Sequence, residues 1–234
     1  MSRNFFSTEA AKLKEMNFTE KRQYIWEYYK LHMLLVAAAL FIIVNLINNW
    51  FINPPKRNYV YIAWQAGIVR PDDLDTLGQR LSIIPENQER YAVVVRSYYF
   101  TGDPQRDQAI ATRLYAMLTL GDIHATITTS VGIAEFSAAG MIRPVDELLA
   151  AIQEQDPTLY DSISERILSV TFVPHDSDTP ATSNMAVSLR DAPLLTELEF
   201  VTDDLYLAII SSAEHFYETA KVIRVIFGRW MDDA

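Results

Sequence analysis

The sequence predicts an α/β protein: an N-terminal transmembrane helix followed by a single, mostly parallel α/β lobe. Three observations predict it. Residues 31–55 contain no Lys, Arg, Asp or Glu. Beyond them, runs of β-branched and aromatic residues alternate with stretches carrying helix start and stop signals. The composition is that of a folded chain, since half of the 234 residues are hydrophobic, 21% are charged, and there are 7 Gly and no Cys. It excludes a disordered chain, a collagen-like repeat and a disulfide scaffold. Without Cys there is no thiol catalysis and no thiolate metal site. A formal charge of −10 and a pI near 4.8 argue against nucleic acid as a partner, which would call for Lys and Arg against phosphate.

Residues 1–30 are expected to form a cytoplasmic amphipathic lead. Asn17 followed by Glu20 is a capping pair that starts a helix through EKRQYIWEYYK. Tyr24 with Tyr28 and Trp26 with Tyr29 fall at helical spacing, suited to anchoring at a membrane interface or to docking a partner helix. Residues 31–52 are the expected transmembrane helix, with MLLVAAALFIIV uninterrupted from Met33 to Val44. At 1.5 Å per residue the span is roughly 33 Å, enough for a hydrocarbon core of about 30 Å. A buried core helix would repeat polar positions every three or four residues. A cleaved signal peptide would end on a small-x-small site, where this chain reads NNWFINPP. Residues 11–30 carry five Lys/Arg and residues 56–75 carry three, a bias that places the N-terminus in the cytoplasm.

Residues 53–57, Asn-Pro-Pro-Lys-Arg, read as a short stiff linker into an extracytoplasmic domain over 58–234. Strands are predicted at 58–64, 91–99, 124–128, near 167–173, near 185–189 and at 205–210. Helices are predicted from Pro71 through Leu81, from Asp103 or Pro104 to Leu120 with Gly121 as the stop, near 131–139, near 144–153, and over 213–230. Helices between strands imply right-handed crossovers and a mostly parallel sheet.

Catalytic patterns are absent from the sequence: no GxSxG, HExxH, Walker loop or GxGxxG. No enzyme activity, cofactor, metal ligand or catalytic residue is therefore expected. Asp72, Asp73 and Asp75 suit the positive end of a helix dipole better than a cation site. His175-Asp176-Ser177-Asp178 lacks the glycine and distal glutamate of a calcium loop and reads as an exposed turn. Open parallel sheets bind ligands at the carboxyl ends of their strands. That rule marks Trp64, Gln65 and Gly67 after the first strand, Tyr98 and Tyr99 after the second, and Thr128, Thr129 and Ser130 after the third. The aromatics could stack on a sugar or peptide. Core packing for Trp64 and half-buried strand ends for Tyr98 and Tyr99 are the competing structural roles.

Three segments carry a family resemblance: NYVYIAWQAG at 58–67, YAVVVR at 91–96, and TLGDIHATITTSVGIAEFSAAGMIRPVDEL at 119–148. The last resembles a Gly-Asp-Ile turn into a strand, followed by a spaced set matched here by Phe136, Ala139, Gly140, Ile142, Pro144, Val145 and Asp146. His124 stands where that pattern has an acid. Residues 205–228 are similar to the family's return strand and helix. The family is that of bacterial extracellular solute-binding proteins, with a type II periplasmic-binding-like fold. The resemblance implies one lobe of that fold, and a role as an accessory or recognition subunit of an ABC-type transporter or another membrane complex. About 50 residues between 153 and 205 are too few for a second full lobe, and no Cys is present for the family's lipid tether. A sensor or scaffold ectodomain with no small-molecule ligand is the alternative. The expected partners are the lipid bilayer and a membrane protein such as a transporter permease.

Overall fold

The computed structural model describes residues 17–52, 56–84, 88, 90–173, 179–213 and 217–228. Residues 1–16 of the expected lead, 53–55 of the linker and the turn 174–178 lie outside the described residues. The chain divides into two compact units, 1–55 and 56–234.

The first unit is one long helix, α1 (Phe18–Ile47), whose last turn widens into a π-helix over Asn48–Ile52. Its start is the capping box anticipated from Asn17 and Glu20: Glu20 Oε2 accepts the Asn17 N–H at 2.9 Å. Tyr29–Trp50 has a mean hydropathy of 2.3 and none of it is buried. Among the described residues it is the one helix long and apolar enough to cross a membrane.

The second unit opens on β1 (Arg57–Trp64). Val60 to Trp64 are all buried, the pattern of a central strand covered on both faces rather than one alternating in and out. The chain continues through α2 (Pro71–Leu81), β2 (Tyr91–Ser97), α3 (Pro104–Leu120), β3 (Ala125–Thr128), α4 (Ser130–Ala138), β4 (Ile142–Arg143) and α5 (Asp146–Gln155). It ends with α6 (Pro157–Ser164), β5 (Ile167–Phe172), β6 (Ala181–Ser188), α7 (Pro193–Glu197), β7 (Tyr206–Ile210) and α8 (Tyr217–Ile226). Pro71 and Pro104 occupy the first turns of α2 and α3, where a missing N–H is harmless. Gly121 closes α3 at φ 75°, a left-handed conformation that glycine adopts without a Cβ clash.

The strand order is β2-β1-β3-β7-β6-β5. β4 pairs with Ile209 and Ile210 of β7, beyond the end of its pairing with β6. The expected mostly parallel sheet is in fact mixed. β2, β1 and β3 run parallel, whereas β7, β6 and β5 pair antiparallel. Eight residues separate β5 from β6, too few for a parallel crossover of a dozen or more, so the two strands pair as a hairpin. The 17 residues from β6 to β7 contain only the five-residue α7, and β7 returns between β3 and β6. Two short helices, α6 and α7, and the two-residue β4 were not anticipated. Both helices have Pro in the first turn, and α6 is capped by Asp156, which accepts the Leu159 N–H at 2.9 Å. Each is too short for a periodicity to show. The expected last helix, 213–230, is observed as α8, with Ala213 outside it.

One edge of the sheet is protected by close helix contact. A Cβ on Gly78 of α2 would stand 3.0 Å from the Val93 carbonyl oxygen. Ser82 Oγ accepts the Val93 N–H at 2.9 Å. The outward backbone of β2 is therefore partly engaged, one way in which edge strands avoid foreign pairing.

Candidate functional site

The carboxyl ends of β1 and β3 meet at the point where the sheet changes from parallel to antiparallel, because β7 enters beside β3 with Thr128 opposite Tyr206. The predicted site residues divide there into three groups.

Trp64 and Tyr98 are inside the core. Trp64 is 1% exposed, with its ring 5.0 Å from that of Phe200. Its indole Nε1 is buried and meets no hydrogen-bond acceptor among the described residues. Tyr98 is 4% exposed. Its N–H donates to the Trp64 carbonyl at 2.8 Å, and its hydroxyl lies 2.8 Å from that of Tyr61 and 3.1 Å from Met117 Sδ. Neither ring presents a face for a ligand to stack on in this conformation. Both are gathered in by the apolar surroundings that make β1 a central strand.

Thr128, Thr129 and Ser130 build the start of α4. Thr128 is buried against Gly132, where a Cβ would come within 2.2 Å of Thr128 Oγ1. Thr129 Oγ1 accepts the Gly132 N–H at 3.3 Å as the helix cap. The Ser130 N–H donates to Asp204 Oδ1 at 3.2 Å. A carboxylate from 74 residues away thus sits at the positive end of α4, where an anion is electrostatically favoured.

Gln65, Gly67 and Tyr99 are half-buried at the rim. Gln65 Nε2 donates to Thr126 Oγ1 at 3.3 Å, and its N–H to the Ile127 carbonyl at 2.8 Å. Gly67 has φ 106° and open space around its Cβ position, so the turn after β1 needs glycine for its backbone alone. Beyond Tyr99, Asp107 accepts from the N–H groups of Thr101 and Gly102 at 2.7 and 2.8 Å. The Thr101 N–H above all holds this carboxyl below its ordinary range, and the bonds tie the loop after β2 to α3.

On the antiparallel side the same edge carries a groove of about 590 Å³ lined by Asp161, Glu165, Arg166, Arg190, Asp191 and Tyr206, among others. Arg166 donates to the Arg190 carbonyl, and its guanidinium lies 5.6 Å from the centre of the Phe227 ring. Asp191 has φ 54°, a strained value for a residue with a side chain, and its N–H donates to Thr202 Oγ1 at 3.1 Å. None of these residues was singled out by sequence. They lie in three stretches of chain: the β5–β6 hairpin brings 161–166 beside 190–191, and the return of β7 beside β6 adds Tyr206. No group of three or more His, Asp or Glu that could hold a metal ion occurs among the described residues.

His124, which replaces the acid of the resembled pattern, is buried, and its Nδ1 accepts the Tyr61 N–H at 3.0 Å. It therefore serves as a backbone acceptor, which requires Nδ1 to be unprotonated. Burial, reinforced by the Tyr98 hydroxyl, pushes the Tyr61 phenol well above its ordinary value. The folded state thus keeps the Tyr61 proton above pH ~10, where an unfolded tyrosine loses it. The unfolded state then binds fewer protons, so stability falls as pH rises beyond that point. Urea unfolding at a series of pH values should show this fall, and Tyr61→Phe should flatten it at a cost of about 1 kcal/mol near neutrality. The same alkaline slope in both proteins would overturn the assignment.

No protein-family model, curated protein or solved structure matches this chain, so what it does is read from its own residues.

Proposed function

We propose that the chain is a single-pass membrane protein with a cytoplasmic N-terminus. Its extracytoplasmic α/β domain serves as an accessory or recognition subunit of a membrane complex. An ABC-type transporter is the form that the resemblance to solute-binding proteins suggests. The observation that carries the reading is the contrast between the two units. One is a 22-residue apolar stretch with nothing buried; the other is an α/β unit with a continuous core of its own. A water-exposed apolar helix of that length is satisfied by lipid. The return strand and helix of that resemblance, residues 205–228, correspond to β7 and α8.

A second reading, a sensor or scaffold ectodomain that binds no small molecule, is favoured by one observation: Trp64 and Tyr98 are buried. The two readings differ in what travels with the protein. Gentle solubilisation of the full chain after cross-linking should recover a permease and its ATPase under the first reading. A signalling kinase or regulator instead would select the second.

Orientation has its own test in a chain without Cys. Thr19→Cys and Val201→Cys place a lone thiol before the apolar helix and in the α/β unit; both positions are exposed. An impermeant thiol reagent on intact cells should label Val201→Cys and spare Thr19→Cys. The reverse pattern would end the proposed topology.

A further inference from the structure

The apolar helix is not apolar all round. Asn48 and Asn49 follow Asn45 by three and four residues, about one helical turn, and so lie near its face where the α-helix passes into the π turn. Leu34, Ala38 and Phe41 extend that face toward the N-terminus. The opposite face is Val36, Leu40, Ile43 and Ile47, wholly aliphatic. Asn45 lies five residues before Trp50, roughly 7 Å inward along the axis from that interfacial aromatic. Its Nδ2 donates to the Phe41 carbonyl at 3.0 Å. Its Oδ1 takes no hydrogen bond among the described residues, and one amide hydrogen remains. Water would satisfy these groups at the surface, but hydrocarbon cannot.

We propose that α1 self-associates in the membrane as a parallel pair, with Asn45 of one copy hydrogen-bonded to Asn45 of the other and Ala38 at the closest approach. The proposal rests on the anchor reading above. The occupant is a second copy for two physical reasons. Two copies inserted the same way bring the same residue to the same depth, so the polar group needs no adjusted register. An amide is also self-complementary, since it both donates and accepts, and can pair across a two-fold axis with itself. Small residues one or two turns away let helix backbones come close, and Ala38 supplies one on this face. The aliphatic face is left to lipid. A pair of anchors would also present two copies of the α/β domain on one side of the membrane, giving any partner a bivalent surface.

The test uses the full chain in its own membranes, where single cysteines have no background. Ala38→Cys, on the asparagine face, should oxidise to a disulfide-linked dimer. Val36→Cys and Ile43→Cys, on the aliphatic face, should give at least fivefold less. Adding Asn45→Leu to Ala38→Cys should lower the dimer yield at least fivefold, while Asn45→Gln, which keeps the amide, should retain most of it. Excess cysteine-free chain should dilute the dimer in proportion, as a two-copy complex requires. Equal yields on both faces, or no effect of Asn45→Leu, would overturn the proposal. So would a lone Ala38→Cys adduct to a different membrane protein. A carbonate wash of the same membranes separates the two levels of the argument. Protein retained in the pellet without a face-dependent dimer refutes self-association alone. Protein released by the wash refutes the anchor and the pairing with it.

Discussion

Placing two arginines at the middle of the apolar helix, as Leu40→Arg with Ile43→Arg, should abolish membrane retention. Both side chains are exposed in a stretch that buries nothing within the protein, so the substitutions disturb no internal packing. Each arginine at the centre of a span disfavours insertion by about 2.5–3.5 kcal/mol. Two together cost about 5–7 kcal/mol, a shift on the order of 10⁴ in partition. The variant should leave the carbonate-washed pellet, while the α/β unit keeps the thermal melt and protease resistance of the parent. Retention of the doubly charged variant in the pellet would show that α1 is not what holds the chain to the membrane.

Gly132→Ala should be among the most damaging single-methyl changes in the α/β unit. The added Cβ would meet Thr128 Oγ1 at 2.2 Å, with Thr128 Cγ2 and Cβ at 3.1 and 3.2 Å. Neither partner is free to withdraw. Thr128 is buried and paired in β3, and α4 is pinned at its start by the Thr129 cap and the contact between Ser130 and Asp204. Overpacking of this kind costs about 1–3 kcal/mol, or roughly 3–10 °C in melting temperature for a domain of this size. Thr128→Ala in the same chain removes the two closest atoms and should restore most of the loss, a coupling that a double-mutant cycle measures directly. Gly140→Ala is the comparison. It has open space around its Cβ position but φ 65°, so it reports backbone strain alone and Thr128→Ala should not rescue it. A Gly132→Ala domain as stable as the parent would contradict the packing described at the end of β3.

Where the sequence was informative, the determinants were local. Asn17 and Glu20 set the start of α1 because a capping box closes within one turn. Pro71 and Pro104 began α2 and α3, and Gly121 ended α3, because each acts on its own φ or its own missing N–H. The β-branched runs at 57–64 and 91–97 became strands, and the charge-free stretch remained an unburied helix. The parallel half of the sheet followed from helices long enough to cross between β1, β2 and β3.

The tertiary structure decided everything that depends on which strand lies beside which. The direction of β7 cannot be read from YLAII, because an inner strand is equally apolar whether its neighbours run with it or against it. Its antiparallel entry next to β3 and β6 placed Tyr206 opposite Thr128. It also brought Asp204 to the Ser130 N–H and added Tyr206 to the groove in which the β5–β6 hairpin sets Arg190 and Asp191 beside Asp161 and Glu165. The same holds for the aromatic residues at the ends of β1 and β2. A tryptophan or tyrosine at a strand end reads identically in sequence whether it faces a ligand or the core. Trp64 and Tyr98 went inward because Phe200, Tyr61 and Met117, each at least 19 residues away, met them there. Local chemistry determined the elements and the long apolar helix of this protein, and long-range packing of apolar surface determined which of its polar groups share an edge.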